Sequence, residues 1–317
     1  ISALHNRNAS AYQVEVVRLT TQAAVVNSFL QYAANYERVA VAKENLGDAE
    51  RVLKIIKQRQ AAGTAAELDT AQQESLVATQ RAAIPALRLT AETSRTALAL
   101  LLGRPPQGFE LNTKTTRSLR FPDVLPGLPS SLLFRRPDVR AAEQQLEAQD
   151  ADVQVARKAF LPTIQLTGDA GFQSAALATL LRPESFIWSI AAGVTQPIFE
   201  GGRLVEQLAL SEAQRQQLLE TYRKSIIQAL TDVENALIGI RENSAREVAQ
   251  RQVVSAARQA LDLTKQRLDA GTIDTTTLLN AQIALFQAQD SLVQVRLARL
   301  QAIVSLFQAL GGDWSEG

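Results

Sequence analysis

Two pairs of closely spaced acids are the residues best placed to do chemistry: Glu143 with Glu147, and Asp150 with Asp152. Paired carboxylates divide acid and base work when their surroundings push their pKa values apart. Here both pairs fall in RRPDVRAAEQQLEAQDADVQVARKAF. The Arg content and amphipathic pattern of that run predict a helix on which the acids are solvated or ion-paired. The single histidine, His5, lies in what reads as a polar leader, where it cannot complete a Ser-His-Asp triad. Cysteine is absent, which removes disulfides, zinc-thiolate clusters and thiol nucleophiles. The chain carries no G-x-x-x-x-G-K-S/T, no G-x-G-x-x-G after a strand and no G-x-S-x-G. The expectation is therefore no catalytic residue, no cofactor and no metal site.

The bulk numbers narrow the classes further. The 317 residues are enough for one large or two ordinary domains. A net charge of +1 argues against a general nucleic-acid binder. No apolar run reaches the roughly 18 residues of a membrane helix. Methionine is absent and the chain opens at Ile1, so a processed or truncated start is expected.

The elements that could position anything are long helices, and they come twice. KQRQAAGTAAELD at 57–69 returns as KQRLDAGTIDTTT at 265–277, an offset of 208 positions. The same offset pairs Val25 with Val233, Asn35 with Asn243, Arg38 with Arg246, Arg88 with Arg296 and Leu102-Gly103 with Leu310-Gly311. One register thus holds from about residue 25 to about residue 104, which reads as an internal duplication. Residues 10–62 and 203–270 lack Pro and are rich in good helix formers. Leu219, Tyr222, Ile226, Leu230, Val233 and Leu237 step by threes and fours along one stripe. At about 1.5 Å per residue such helices extend on the order of 100 Å, too long for a compact domain. Gly63 and Gly271 are placed to end a helix in the left-handed conformation. Thr64 with Glu67 matches a capping box for a returning helix, and Thr272 or Asp274 serves the second copy. Each repeat is therefore an antiparallel helical hairpin, with both Gly-Thr turns at the same end.

The unrepeated middle reads differently. Residues 104–136 carry Pro105, Pro106, Pro122, Pro126 and Pro129 and predict an irregular connector. A helix follows over 137–159. In FLPTIQLTGDAGFQS and FIWSIAAGVTQPIF, apolar and small or polar residues alternate with period two. Ile164, Leu166 and Phe172 share one face, as do Trp188, Ile190 and Val194, with aromatics gathered toward one end. That pattern fits either a membrane β-hairpin or a soluble hairpin covering a core. In the duplicated register residue 1 matches residue 209, so the first hairpin is expected to follow an equivalent helix-and-strand unit that this chain lacks. About four strands per complete chain cannot close a barrel, because the smallest membrane barrels have about eight. If the strands lie in lipid, closure requires several chains.

Four strings carry a resemblance: LPSSLLFRRPDVRAAEQQLEAQDADVQVARKAFLPTIQLTG at 128–168, QPIFEGGRL at 196–204, ALLLGRPP at 99–106 and ALGGDW at 309–314. The chain resembles the outer-membrane efflux proteins over nearly its whole length, and within them the outer-membrane factors of tripartite drug and metal efflux pumps. The resemblance implies a mainly α fold with a β-hairpin. Long antiparallel helical hairpins would form a periplasmic α-barrel beneath a trimeric transmembrane β-barrel of about twelve strands. The expected organisation is a first helical hairpin at 1–103, a connector at 104–136, a helix at 137–159, a membrane β-hairpin at 160–200 and a second helical hairpin at 201–317.

The same resemblance implies the function: an exit duct in the outer membrane of a Gram-negative bacterium, reaching into the periplasm. The partners implied are a homotrimer, a periplasmic adaptor, an inner-membrane transporter and outer-membrane lipid. It places adaptor contacts at Gly63, Thr64, Glu67, Asp69, Gly271 and Thr272. It also places a gate near the second tip. The family's usual Leu, Asp and Arg after the tip Gly are Thr276, Asn280 and Ile283 here, with Asp274 the nearest acid. Polypeptide export is an alternative within the family. A periplasmic adaptor or coiled-coil scaffold is the alternative of another class, although an adaptor would carry one such hairpin and this chain carries two.

Overall fold

The structure is a computed structural model that describes residues 1–111, 115–119 and 135–312. Helix α1 runs Ser2–Ala61 and α2 Glu67–Leu101; a 3-10 turn follows at Thr116–Ser118. Then come α3 Pro137–Lys158, strands β1 Thr163–Phe172 and β2 Phe186–Thr195, α4 Arg203–Asp269 and α5 Thr275–Ala309. The duplication is visible in the boundaries. The end of α1, both ends of α2 and the 35-residue length of α2 recur in α4 and α5 at an offset of 208. Much of the expected connector at 104–136 lies outside the described residues. Among the described residues no helix is long and apolar enough to cross a membrane.

Two compact units divide the chain. One takes Ile1–Gln13 with Asp138–Ile226; the other takes Val14–Pro137 with Ile227–Gly317.

In the first unit His5 is not in a leader. It lies within the first turns of α1, and its Nδ1 sits 3.0 Å from Glu147 Oε2 and 3.1 Å from Gln144 Oε1 of α3. The polar composition that suggested a leader is helix surface facing another helix. Two other acids of α3 are ion-paired. Glu143 accepts from Arg140 at 2.6 Å, and Asp150 pairs with Arg215. Arg140 also stacks 5.7 Å over the Tyr12 ring. Its hydrogen bond to Tyr12, ahead of the nearby Glu143 charge, raises the guanidinium pKa further.

The strands β1 and β2 pair antiparallel from Thr163↔Thr195 to Phe172↔Phe186. This register sets Ile164 opposite Val194, Leu166 opposite Ala192, Gly168 opposite Ile190 and Ala170 opposite Trp188, all on one face. The other face carries Gln165, Thr167, Asp169, Ser189 and Thr195. The aromatics cluster at the turn end, where Phe172 and Phe186 meet edge-on with centroids 5.5 Å apart. Leu166, Trp188 and Ile190 are 74%, 68% and 68% exposed, so the apolar face covers no core among the described residues. Of the two readings left by the alternation, a hairpin lying on a soluble core is excluded among the described residues.

The second unit holds its core as separate patches between helices rather than one centre. Val52, Ile56, Leu261, Leu268, Leu278 and Leu285 form one patch near the Gly-Thr turns. Ala49, Leu76, Val77 and Phe286 form another. Leu30, Leu300 and Val304 with Ala23 form a third.

Candidate functional site

The two helical turns are near copies. Gly63 and Gly271 take φ of +74° and +70°. In the first, the Gly63 N–H donates to Gln60 O at 2.9 Å and the Thr64 N–H to Arg59 O at 2.8 Å. In the second, Gly271 donates to Leu268 O at 3.0 Å and Thr272 to Arg267 O at 2.9 Å. These are Schellman closures, which need a left-handed residue at C′ and so favour glycine. The Thr64 and Thr272 hydroxyls repeat the pattern, each donating at 3.0 Å to the same Arg carbonyl as its own N–H.

This corrects the expected caps. Thr64 does not start α2, because its N–H and hydroxyl are both committed to closing α1. The N-cap is Ala66, and Asp69, not Glu67, reaches back to it: Asp69 Oδ2 accepts from the Ala66 N–H at 2.9 Å. Glu67 is the first residue of α2, where a carboxylate suits the positive end of the helix dipole. In the second turn Asp274, not Thr272, caps α5. It accepts from the Thr277 N–H at 2.8 Å and the Thr277 hydroxyl at 2.6 Å. The Thr277 hydroxyl first, and its N–H second, hold the Asp274 carboxyl below the usual carboxylate range.

The other three residues expected near a gate divide. Thr276 and Asn280 are exposed one helical turn apart on α5, and the Thr276 hydroxyl lies 3.4 Å from Gln72 Oε1 of α2. Ile283 differs. It packs with Leu279 against the Ala49, Leu76, Val77 and Phe286 patch, so it supports α5 rather than offering a free surface. Packing against α1 and α2 takes Ile283 inward, although the resemblance groups it with Thr276 and Asn280. The turns are tied together by Arg59, whose guanidinium donates to Leu268 O at 3.0 Å and to Asp269 at 3.2 Å.

Sequence reasoning missed the best-built polar centre in the chain. Glu37 of α1 and Glu247 of α4 are each buried, and Arg296 of α5 bridges them. Arg296 Nη1 is 3.1 Å from Glu37 and its Nε 3.2 Å from Glu247. Arg299 and Arg251 also donate to Glu247, both at 2.6 Å. On the other side Glu37 accepts from the Thr116 N–H at 3.1 Å, from the Thr116 hydroxyl, and from Arg117 at 2.9 Å. Burial alone would raise the Glu247 pKa; hydrogen bonds from Arg251, Arg299 and Arg296 with the Arg299 charge outweigh it and hold the carboxyl below the ordinary glutamate range. The arrangement can fasten the 3-10 turn to three helices. It offers no acid or base to a substrate, because every carboxylate oxygen faces cations or donors. Among the described residues no cluster of three or more metal-ligating side chains exists.

Comparisons with known proteins agree on one family. The chain is 42% identical over 313 residues to the pyoverdine export outer membrane protein OpmQ of Pseudomonas aeruginosa, covering 99% of this chain and 66% of that protein. It is 34% identical to the outer membrane protein OprJ of Pseudomonas aeruginosa, covering 100% of this chain and 66% of that one. The chain thus spans just under two thirds of the length of these relatives. Among solved structures the outer-membrane channel OprN superposes with a TM-score of 0.93 at 28% identity, over 99% of this chain and 71% of OprN. The family model for outer membrane efflux proteins matches residues 2–104 and 128–312, which takes in both helical hairpins and the strand pair. With that match on top of the duplicated hairpins, the chain belongs to the outer membrane efflux protein family.

Proposed function

We propose that the complete protein is a trimeric outer-membrane exit channel, passing small molecules that a periplasmic adaptor and an inner-membrane transporter deliver to it. The observation that carries this reading is the β1–β2 pair. Its apolar residues share one face, that face covers nothing, and neither strand has a second neighbour among the described residues. Backbone groups along open strand edges cannot remain unpaired in lipid, so further strands must close the sheet. Ile164, Leu166, Phe172, Trp188, Ile190 and Val194 then face lipid, and the Gln165, Thr167 and Asp169 side faces water. Pyoverdine export by the relative OpmQ favours small-molecule cargo over polypeptide.

In this reading the 160–200 segment is the membrane hairpin, and the helical hairpins at 1–103 and 201–317 form the periplasmic duct. The turns at Gly63 and Gly271, with Thr64, Glu67, Asp69 and Thr272, meet the adaptor. Thr276 and Asn280 line the constriction with neutral groups. The test is the mass and conductance of the full-length protein in detergent and in planar bilayers. A trimer giving single-channel steps is expected; a stable monomer that never conducts would overturn the proposal.

A further inference from the structure

We propose that Asp169 is a charge filter on the water side of the strand barrel, favouring the passage of cations over anions. The inference rests on the exit-channel reading, which sets the apolar face of β1 and β2 against lipid. It follows from where the strand register puts the one ionisable side chain of the pair.

The strands read TIQLTGDAGF and FIWSIAAGVT, and Asp169 is their single charge. It pairs across the strands with Ser189. Alternation therefore sets it on the face away from Leu166, Trp188 and Ile190. A carboxylate turned to lipid is costly to keep ionised, whereas one turned to a water-filled lumen keeps its charge and its hydration.

Nothing beside it compensates that charge. Its neighbours on the same face are Thr167 and Gly171 along β1, Ser189 opposite, and Ile187 and Ala191 on either side of Ser189. All five are neutral. The Asp169 side chain is exposed and makes no hydrogen bond or ion pair among the described residues. Asp150 of α3, by contrast, is held by Arg215. An ionisable side chain left unpaired within a membrane-crossing segment marks a path for ions or solutes rather than a structural tie. Helices α3 and α4 join the strands at the Thr163 and Thr195 ends. Asp169 lies toward the other end, three residues before Phe172, or about 10 Å along the strand. Three copies in a trimer form a ring of carboxylates at one level near that mouth. Such a ring gathers cations and repels anions.

Reversal potentials of the full-length protein in planar bilayers, under a gradient of potassium chloride, test the proposal. At about 0.01 M salt the screening length is about 30 Å, and wild type is expected to prefer cations. Asp169→Asn is expected to lower the cation-over-anion permeability ratio by about twofold or more, Asp169→Glu to keep it, and Asp169→Lys to favour anions. At about 1 M salt, where screening takes about 3 Å, the variants should converge. Asp169→Cys, treated with a water-soluble thiol reagent that carries a sulfonate, is expected to regain the preference. Ala170→Cys, on the lipid face, should resist the reagent. No cation preference in wild type, an unchanged ratio in Asp169→Asn, or labelling of Ala170→Cys but not of Asp169→Cys would overturn the proposal. Failure of every version to conduct would remove the channel reading and the filter with it. A conducting channel whose ion preference ignores Asp169 would remove the filter alone.

Discussion

Replacing Arg296 with Met removes the bridge between Glu37 and Glu247 and keeps a long apolar side chain in its place. Breaking a buried ion pair costs about 3–5 kcal/mol when the remaining charge has no other partner. That limit does not apply here, because Glu37 keeps Arg117 and Thr116, and Glu247 keeps Arg251 and Arg299. Two hydrogen bonds to charged groups are lost and two compensated carboxylates remain, so the expected loss is about 2–3 kcal/mol per protomer. At about 2–4 °C per kcal/mol this corresponds to a fall of roughly 4–12 °C in the melting temperature. The assay is thermal unfolding of the full-length protein in detergent, followed by helical circular dichroism. Arg296→Lys should fall between wild type and Arg296→Met, because a single ammonium keeps the charge but not the fork that spans two carboxylates. A variant Arg296→Met melting within about 1 °C of wild type would refute the reasoning. The pH dependence has a defined sign. Glu247 has a folded pKa below its unfolded value. Its stabilising contribution is present above the unfolded value of about 4.3 and is lost as pH falls through the lower folded value. Glu247→Gln should therefore show a shallower loss of stability on acidification below about pH 4.3.

Gly63→Val and Gly271→Val each force a β-branched residue into a left-handed conformation and are expected to destabilise by about 1–2 kcal/mol, measured by denaturant unfolding. An added Cβ meets nothing within 4 Å at either turn, so the loss is conformational rather than steric. Asp274→Ala should lower helix stability at the start of α5 more than Thr272→Val, read by hydrogen exchange. The wild-type advantage should disappear as pH falls through the lowered Asp274 pKa. Leu166→Lys on the proposed lipid face is expected to cost about 2–4 kcal/mol if it lies near the bilayer midplane and to reduce insertion into outer-membrane vesicles; Gln165→Lys should insert normally. Asn280→Asp should introduce block by divalent cations in planar bilayers, since three copies around one axis would place three carboxylates together; conductance that is insensitive to cations in that variant would count against a constriction at this level.

Helices with a period of 3.6, strands with a period of two and a Gly-Thr turn repeated at one offset were legible from residue order alone. Those features depend on neighbours along the chain, so α2 and α5 begin and end at matching positions and the strand register put Ile164, Leu166, Trp188 and Ile190 on one face as expected. Tertiary structure decided matters that depend on what lies across a helix interface. Thr64 looks like a cap for the next helix until its hydroxyl is seen to close the previous one. Ile283 shares helical spacing with Thr276 and Asn280, yet packing on α1 and α2 withdraws it. Glu37, Glu247 and Arg296 converge on one buried centre. They lie 49 to 259 positions apart, and no local pattern announces that they converge. His5 follows the same rule. A polar side chain in a helix has the same local propensity whether it faces water or a partner helix, and the energy that separates the two cases exists only once the helices have packed.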